Sequence, residues 1–82
     1  MISNFTKGAI CMISELSAYS VIKYEQFKTS IPELVCPCHI KPNQKLIIEE
    51  LVSGGLVLVS YQNKPDKLSV ILLKDLRLVS GQ

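Results

Sequence analysis

The sequence predicts a small α+β domain in which three helices are followed by an antiparallel β-hairpin. Residues 43–53 form an amphipathic segment that ends at Gly54-Gly55, and glycine accepts the left-handed conformation common at helix C-termini. The next two apolar segments, 56–61 and 68–73, are separated by the polar loop 62–67. Because apolar and β-branched residues favour strands and polar residues favour turns, this order predicts a helix followed by a hairpin.

The segment 43–53 has the start and the spacing of a helix. Pro42 precedes it, and proline suits the first helical position because its missing N–H would have no partner there. Four apolar residues recur at helical spacing and define one face: Ile47, Ile48, Leu51 and Val52. We therefore expect this helix to bury one face against the domain and to expose the other.

The N-terminal half predicts two further helices and one short strand. Residues 4–17 predict a first helix with one apolar stripe, formed by Phe5, Ala9, Ile10, Ile13 and Leu16. Val21-Ile22 is short and β-branched, and it predicts a strand that pairs with the hairpin. Residues 24–30 predict a second helix. The capping-box pattern at 30–33 predicts either its restart to about Cys36 or an additional short helix.

Length and composition predict one domain, residues 1–82. An apolar fraction of 48% supports a packed core rather than disorder. No apolar run approaches the roughly 20 residues of a membrane-spanning helix and no secretory signal pattern is present, so we expect a cytoplasmic protein. Nine basic against seven acidic side chains give a net charge of +2, which permits nucleic-acid binding without demanding it.

The two hairpin segments carry apolar residues on both faces. In the first segment Leu56 and Leu58 lie on one face and Val57, Val59 and Tyr61 on the other; in the second segment Ile71 and Leu73 lie opposite Leu68, Val70 and Leu72. An antiparallel sheet with one solvated face alternates apolar with polar residues, so the second face of this hairpin needs a cover. Two alternatives could bury this face: the C-terminal segment folds back over it, or a second copy of the chain or another protein docks there.

This order of elements resembles the winged helix-turn-helix superfamily over residues 4–73. The resemblance is one of pattern, carried by the passage from the third helix into the hairpin at 51–59, Leu-Val-Ser-Gly-Gly-Leu-Val-Leu-Val. It implies that the third helix enters the major groove of DNA. It also implies that the hairpin loop contacts phosphates or the minor groove.

Basic and amide side chains lie at both contact points that the resemblance implies. The expected DNA-contacting residues are Lys41, Asn43, Gln44 and Lys45 at the helix start, and Asn63, Lys64 and Lys67 in the hairpin loop. Asn and Gln can form two hydrogen bonds with adenine, and Lys can donate to guanine or phosphate. Against this, Glu49-Glu50 on the same helix would repel phosphates if they faced the DNA.

Three cysteines and one histidine form a weaker candidate for metal binding. Cys36, Cys38 and His39 lie within four residues, and Cys11 is the only distant thiol. Structural zinc sites favour two separated pairs of the C-x2-4-C kind, a pattern that this C-x-C sequence does not match. Small thiols that fill a tight turn are the main alternative, and a redox-sensing disulfide is a further one.

The sequence therefore predicts a double-stranded DNA-binding protein that regulates transcription as a homodimer. The alternative is a winged-helix protein-interaction module of a larger assembly without direct DNA contact, which the low net charge and the two-sided strands favour. No catalytic constellation and no glycine-rich phosphate loop can be identified, so we expect no enzyme activity, no cofactor and no small-molecule substrate.

Overall fold

A computed structural model describes residues 6–79, which contain one α-helix and a five-stranded antiparallel sheet. The strands are β1 (Ile10–Ile13), β2 (Leu46–Val52), β3 (Leu56–Tyr61), β4 (Leu68–Leu72) and β5 (Leu76–Leu78), and the helix is α1 (Ala18–Phe27). Short 3-10 turns occupy Pro37–His39, Ser53–Gly55 and Leu73–Asp75. The strand order across the sheet is β4-β3-β2-β1-β5, with every pair antiparallel.

The prediction of a three-helix winged helix-turn-helix is wrong. Residues 43–53, the predicted DNA-reading helix, contain strand β2 instead. Residues 4–17, the predicted first helix, contain β1, and residues 4 and 5 lie outside the described residues. The predicted strand at Val21-Ile22 lies inside α1, which overlaps the predicted second helix only at residues 24–27. The hairpin is confirmed: β3, the loop 62–67 and β4 lie where the sequence predicts them.

A β-bulge explains why β2 resembles a helix in sequence. Ile48 pairs with Val59, but the next paired residue is Glu50, opposite Leu58, so Glu49 is an extra residue in the strand. A bulge interrupts the alternation of faces along a strand. Ile48 is therefore separated from Leu51 by three positions and from Val52 by four. These are the spacings of apolar residues on an amphipathic helix.

Gly54 and Gly55 have the left-handed conformation that the sequence predicts, with φ of +78° and +79°. They use it to turn the chain from β2 into β3, where Val52 pairs with Leu56, and not to end a helix. A Cβ at either glycine would meet no atom within 4 Å. The constraint on both positions is therefore the backbone conformation and not the available space.

The short connection between β4 and β5 forces the sheet to curl. These are the two edge strands, and in a flat sheet four interstrand spacings would separate them by about 19 Å. Residues 73–75 connect them through one 3-10 turn, which advances only about 2 Å per residue. The two edges therefore approach each other at this end, and the sheet encloses its inner face.

The inner face of the curled sheet holds the larger apolar core. Its buried members are Cys11, Ile40, Leu46, Ile48, Val57, Val59, Ile71 and Leu76, with Tyr61 and Leu73 packed against them. Ile40 comes from the segment before β2 and is buried among the strand residues. The prediction that each hairpin strand has two apolar faces is confirmed: Val57, Val59 and Ile71 belong to this cluster, and Leu56, Val70 and Leu72 belong to a separate one.

The second face of the hairpin is covered from within the chain. Leu56, Val70 and Leu72 are buried there together with Leu34, and Leu58 and Leu68 pack against them. The cover consists of Tyr24 and Phe27 from α1, followed by Ile31 and Leu34. Within residues 6–79 the C-terminal segment does not fold back over this face, because residues 76–78 form β5, which pairs with β1.

Asp75 anchors the start of α1 to the end of the sheet. Its Oδ2 accepts hydrogen bonds from the Ser17 backbone N–H (2.9 Å), the Ser17 hydroxyl (2.8 Å) and the Ser20 hydroxyl (2.7 Å). The Ser20 hydroxyl in turn accepts from the Leu72 N–H over 3.0 Å. The Ser17 side chain makes no capping bond of its own, so Asp75 supplies the acceptor and the negative charge that a helix N-terminus favours.

Two opposing effects act on the pKa of Asp75. Burial raises the pKa, but the hydrogen bonds from Ser20 and Ser17 stabilise the charged form more strongly. The pKa therefore lies below its ordinary value of 3.8. Asp75 is charged near neutral pH, where it holds α1 against the turn between β4 and β5.

We expect Ile48→Ala to lower the free energy of unfolding by about 2–5 kcal/mol, because the side chain is fully buried in the inner core. Ile22→Ala is the matched control. The same atoms are removed where 51% of the residue is exposed, and we expect a change within about 0.5 kcal/mol. Urea denaturation measures both values, and equal losses would contradict the assignment of Ile48 to the core.

We expect Asp75→Asn to destabilise the protein by about 1–3 kcal/mol at pH 7, because hydrogen bonds to a charged acceptor are replaced by weaker ones. A carboxyl whose pKa is lowered by folding stabilises the fold fully above its unfolded pKa, here the ordinary value of 3.8. That contribution is lost as the pH falls through the lower, folded pKa. Urea denaturation of both proteins from pH 7 to pH 2 should show the difference shrinking in acid. A difference independent of pH would contradict this role.

Candidate functional site

Two loops meet at one end of the sheet because of the register between β2 and β3. Leu46, the first residue of β2, pairs with Tyr61, the last residue of β3. The Gln62 N–H donates to the Lys45 carbonyl oxygen over 3.0 Å, which extends the pairing beyond the strands. The segment that precedes β2 and the loop that follows β3 therefore lie side by side.

A polar depression lies between these two loops, and we call it the cationic groove. It is lined by His39, Lys41, Gln44, Tyr61, Asn63, Lys64 and Lys67 and has a volume of about 270 Å³. Five of the seven predicted DNA-contacting residues line it: Lys41, Gln44, Asn63, Lys64 and Lys67. The other two, Asn43 and Lys45, are exposed on the segment before β2 but are not part of the lining.

Hydrogen bonds hold the loop 62–67 in a defined shape. The Tyr61 N–H donates to the Lys67 carbonyl oxygen (3.0 Å), and the Lys67 N–H donates to the Lys64 carbonyl oxygen (2.9 Å). Gln44 joins the two sides of the groove, since its Nε2 donates to Asn63 Oδ1 over 3.2 Å. The groove is therefore built on backbone bonds that do not depend on a ligand.

The groove has an excess of positive charge. Its lining contains three lysines and one histidine, and no carboxylate. The salt bridge found among residues 6–79 joins Glu25 of α1 to Lys28, the residue after the helix, so the groove lysines have no carboxylate within salt-bridge distance in that range. Such a concentration of like charge attracts anions.

Tyr61 forms the apolar wall of the groove. The Lys67 ammonium lies 5.7 Å from the centroid of the Tyr61 ring, within the range of a cation–π interaction. Burial raises the pKa of the Tyr61 phenol. The phenol is therefore neutral near pH 7 and adds no negative charge to the groove.

Glu49 and Glu50 do not belong to the groove. The Ser60 hydroxyl donates to Glu49 Oε2 over 2.5 Å, and both glutamates line a separate cavity that also includes Lys7 and Leu51. Glu49 and Glu50 therefore add no carboxylate to the lining of the cationic groove. The repulsion of phosphates expected from a helix that carries both residues does not apply to the groove.

The weak metal-site candidates do not converge. Cys11 is buried in the inner core, where burial raises its pKa to about 11. His39 lines the cationic groove, while Cys36 and Cys38 contact each other with their sulfur atoms 2.8 Å apart. Among the residues that the structure describes, no three His, Cys, Asp or Glu side chains form a group suited to a metal ion.

Two important residues are not predicted from the sequence: Tyr61, which lines the cationic groove, and Asp75, which holds α1 against the sheet. Tyr61 lines the groove. Its position at the end of a predicted strand, directly before the polar loop, is the sequence feature that could have predicted this. Asp75 fixes α1, and no local pattern marks it because its partners, Ser17 and Ser20, lie 58 and 55 residues away.

Comparison with known proteins adds no relative: no family model, curated protein or solved structure matches this chain. None of the helices within residues 6–79 combines the length and the apolar character needed to cross a bilayer. A functional assignment therefore depends on the chemistry of the cationic groove.

Proposed function

We propose that this protein binds DNA through the phosphate backbone, with the cationic groove as the contact surface. The observation that carries this proposal is the convergence of Lys41, Lys64 and Lys67 from two separate loops in a lining that lacks carboxylates. Lysine ammonium groups bind phosphates as compact positive charges, and they supply most of the affinity of sequence-independent DNA binding.

The groove has no recognition helix, so its contacts differ from those of a winged helix. Gln44 and Asn63 hydrogen-bond each other across it, which leaves fewer of their donors and acceptors for base edges. Phosphate contacts fix the position of a protein on DNA but carry no sequence information. We therefore propose binding with little dependence on base sequence.

The environment of Tyr61 favours a duplex over a single strand. Proteins that bind single strands use exposed aromatic rings on which bases stack. Tyr61 is only partly exposed, and Lys67 already lies over its ring. Contact with the phosphates of a duplex requires no free ring face. Regulation of transcription and a homodimer stay predictions, and the apolar second face that suggested the dimer is covered by α1.

A second candidate function is the docking of a protein partner at an apolar cleft. The cleft has a volume of about 600 Å³ and is lined by Tyr19, Gly54, Gly55, Leu72, Leu73, Lys74 and Leu76. Tyr19 is 48% exposed, and Ile22, one turn further along α1, is 51% exposed. Exposed apolar side chains beside an apolar cleft are typical of interaction surfaces. The cleft lies at the opposite end of β4 from the loop 62–67, so the two functions are separable.

We expect Lys64→Ala/Lys67→Ala to weaken binding to duplex DNA and to reduce its dependence on salt. Three lysine–phosphate contacts give a slope of log K against log salt of about −2.7, and the loss of two changes it to about −0.9. Fluorescence anisotropy with a labelled duplex of random sequence, at several salt concentrations, measures the slope.

Lys74→Ala is the matched control for this variant, because it removes one exposed lysine at the far end of β4. We expect it to leave the slope unchanged. An unchanged slope in the double variant, or an equal reduction in Lys74→Ala, would contradict binding at the groove. A single strand bound more tightly than the duplex would contradict the choice of ligand.

A further inference from the structure

Cys36 and Cys38 place two thiols in contact at the surface of the protein. Both cysteines are free, and their sulfur atoms are 2.8 Å apart. A disulfide bond has an S–S distance of about 2.05 Å, so the two atoms need to approach by about 0.8 Å to form one. Rotation about side-chain torsions can supply a movement of that size.

We propose that Cys36 and Cys38 form a redox-active dithiol, which a low-molecular-weight disulfide oxidises reversibly to an intrachain disulfide. The ring that this bond closes contains a single intervening residue, Pro37. Closing so short a loop removes little entropy from the unfolded chain, so the bond stabilises the fold little. Exposed or strained disulfides are also the more easily reduced ones. The pair is therefore suited to reversible oxidation and not to structural cross-linking.

The chain on both sides of the dithiol is anchored to the core. The Val35 N–H donates to the Leu68 carbonyl oxygen (2.8 Å), and the Ser69 hydroxyl donates to the Val35 carbonyl oxygen (2.7 Å). Pro37 and Ile40 are buried. These contacts hold the two cysteines near each other. Formation of the disulfide therefore changes only the segment 36–38.

The two sulfur atoms differ in access, which gives the reaction an order. Cys38 is exposed, whereas Cys36 is only partly exposed. Burial and the hydrogen bond with Cys38 raise the pKa of the Cys36 thiol, so Cys36 is protonated near neutral pH. Because a disulfide from solution must reach the attacking sulfur, the exposed Cys38 reacts first.

The reaction proceeds by two thiol–disulfide exchanges. The Cys38 thiolate attacks one sulfur of the small disulfide, forming a mixed disulfide and releasing one small thiolate. Cys36 then loses its proton to solvent, and its sulfur attacks the Cys38 sulfur, releasing the second small thiolate. The protein loses two electrons and two protons, the small disulfide gains the two electrons, and the released thiolates take up protons from solvent.

Cys11 provides an internal contrast. It is fully buried in the inner core, and burial raises its pKa to about 11. Buried thiols of this kind are inert toward exchange. The same chain therefore carries one unreactive thiol beside the proposed pair.

Equilibration of the 82-residue chain in buffers of graded ratio of glutathione to glutathione disulfide tests this proposal. The samples are quenched with acid, alkylated and measured by mass spectrometry. We expect a species that lacks two hydrogen atoms and takes up a single alkyl group, at Cys11, with the cross-link in the peptide containing Cys36 and Cys38. Reversal by added reductant is expected.

Two single variants complete the experiment. Cys36→Ser is expected to accumulate a glutathione adduct on Cys38, because no second thiol resolves it, while Cys11→Ser is expected to oxidise at the same ratio as the wild type. The proposal is overturned if the wild type keeps all three thiols at every ratio. It is also overturned if the wild type stops at the Cys38 adduct, or if the disulfide involves Cys11.

Discussion

The pairing of β2 with β3 is the constraint on which the rest of the structure depends. It places Ile48 opposite Val59 in the inner core, and the same register sets Leu46 opposite Tyr61 at the end of the sheet. The loops that continue from these ends must then lie next to each other. The apolar core and the cationic groove are therefore two consequences of one register, and a shift of one residue would disturb both.

The closing of the sheet depends on a polar contact at its other end. Residues 73–75 carry the chain from β4 to β5, and the Asp75 carboxylate bonds to Ser17 and Ser20 at the start of α1. The curl of the sheet and the position of the helix that covers β3 and β4 are thus linked through one buried side chain. Because Asp75 Oδ2 accepts three hydrogen bonds, burial of the carboxylate costs less than that of an unpaired charge.

Sequence patterns predict the hairpin but not the rest of the fold. β3 and β4 are predictable because their two apolar faces and polar loop are local features. β2 is not, because the bulge at Glu49 gives a strand the apolar spacing of a helix. α1 is not, because Ser20 is buried while Ile22 is exposed, the reverse of what hydropathy indicates. Only the distant Asp75 makes a buried serine favourable at that position.

The groove is predictable in composition though not in architecture. Lys41, Gln44 and the loop lysines are polar residues that flank apolar segments, and in either fold the ends of those segments would be exposed. In the structure these residues converge because β2 pairs with β3. The sequence predicts instead that they converge because a recognition helix lies beside a wing. The same segment carries the Cys36–Cys38 pair directly before His39 and Lys41, so the proposed dithiol and the proposed DNA contact share one stretch of chain. The most direct test of this account is an NMR measurement of backbone nuclear Overhauser effects in the free protein. We expect contacts across the pair Ile48–Val59 and between Lys45 and Gln62; a continuous series of helical contacts between residues three apart along 43–53 would contradict the structure and the groove with it.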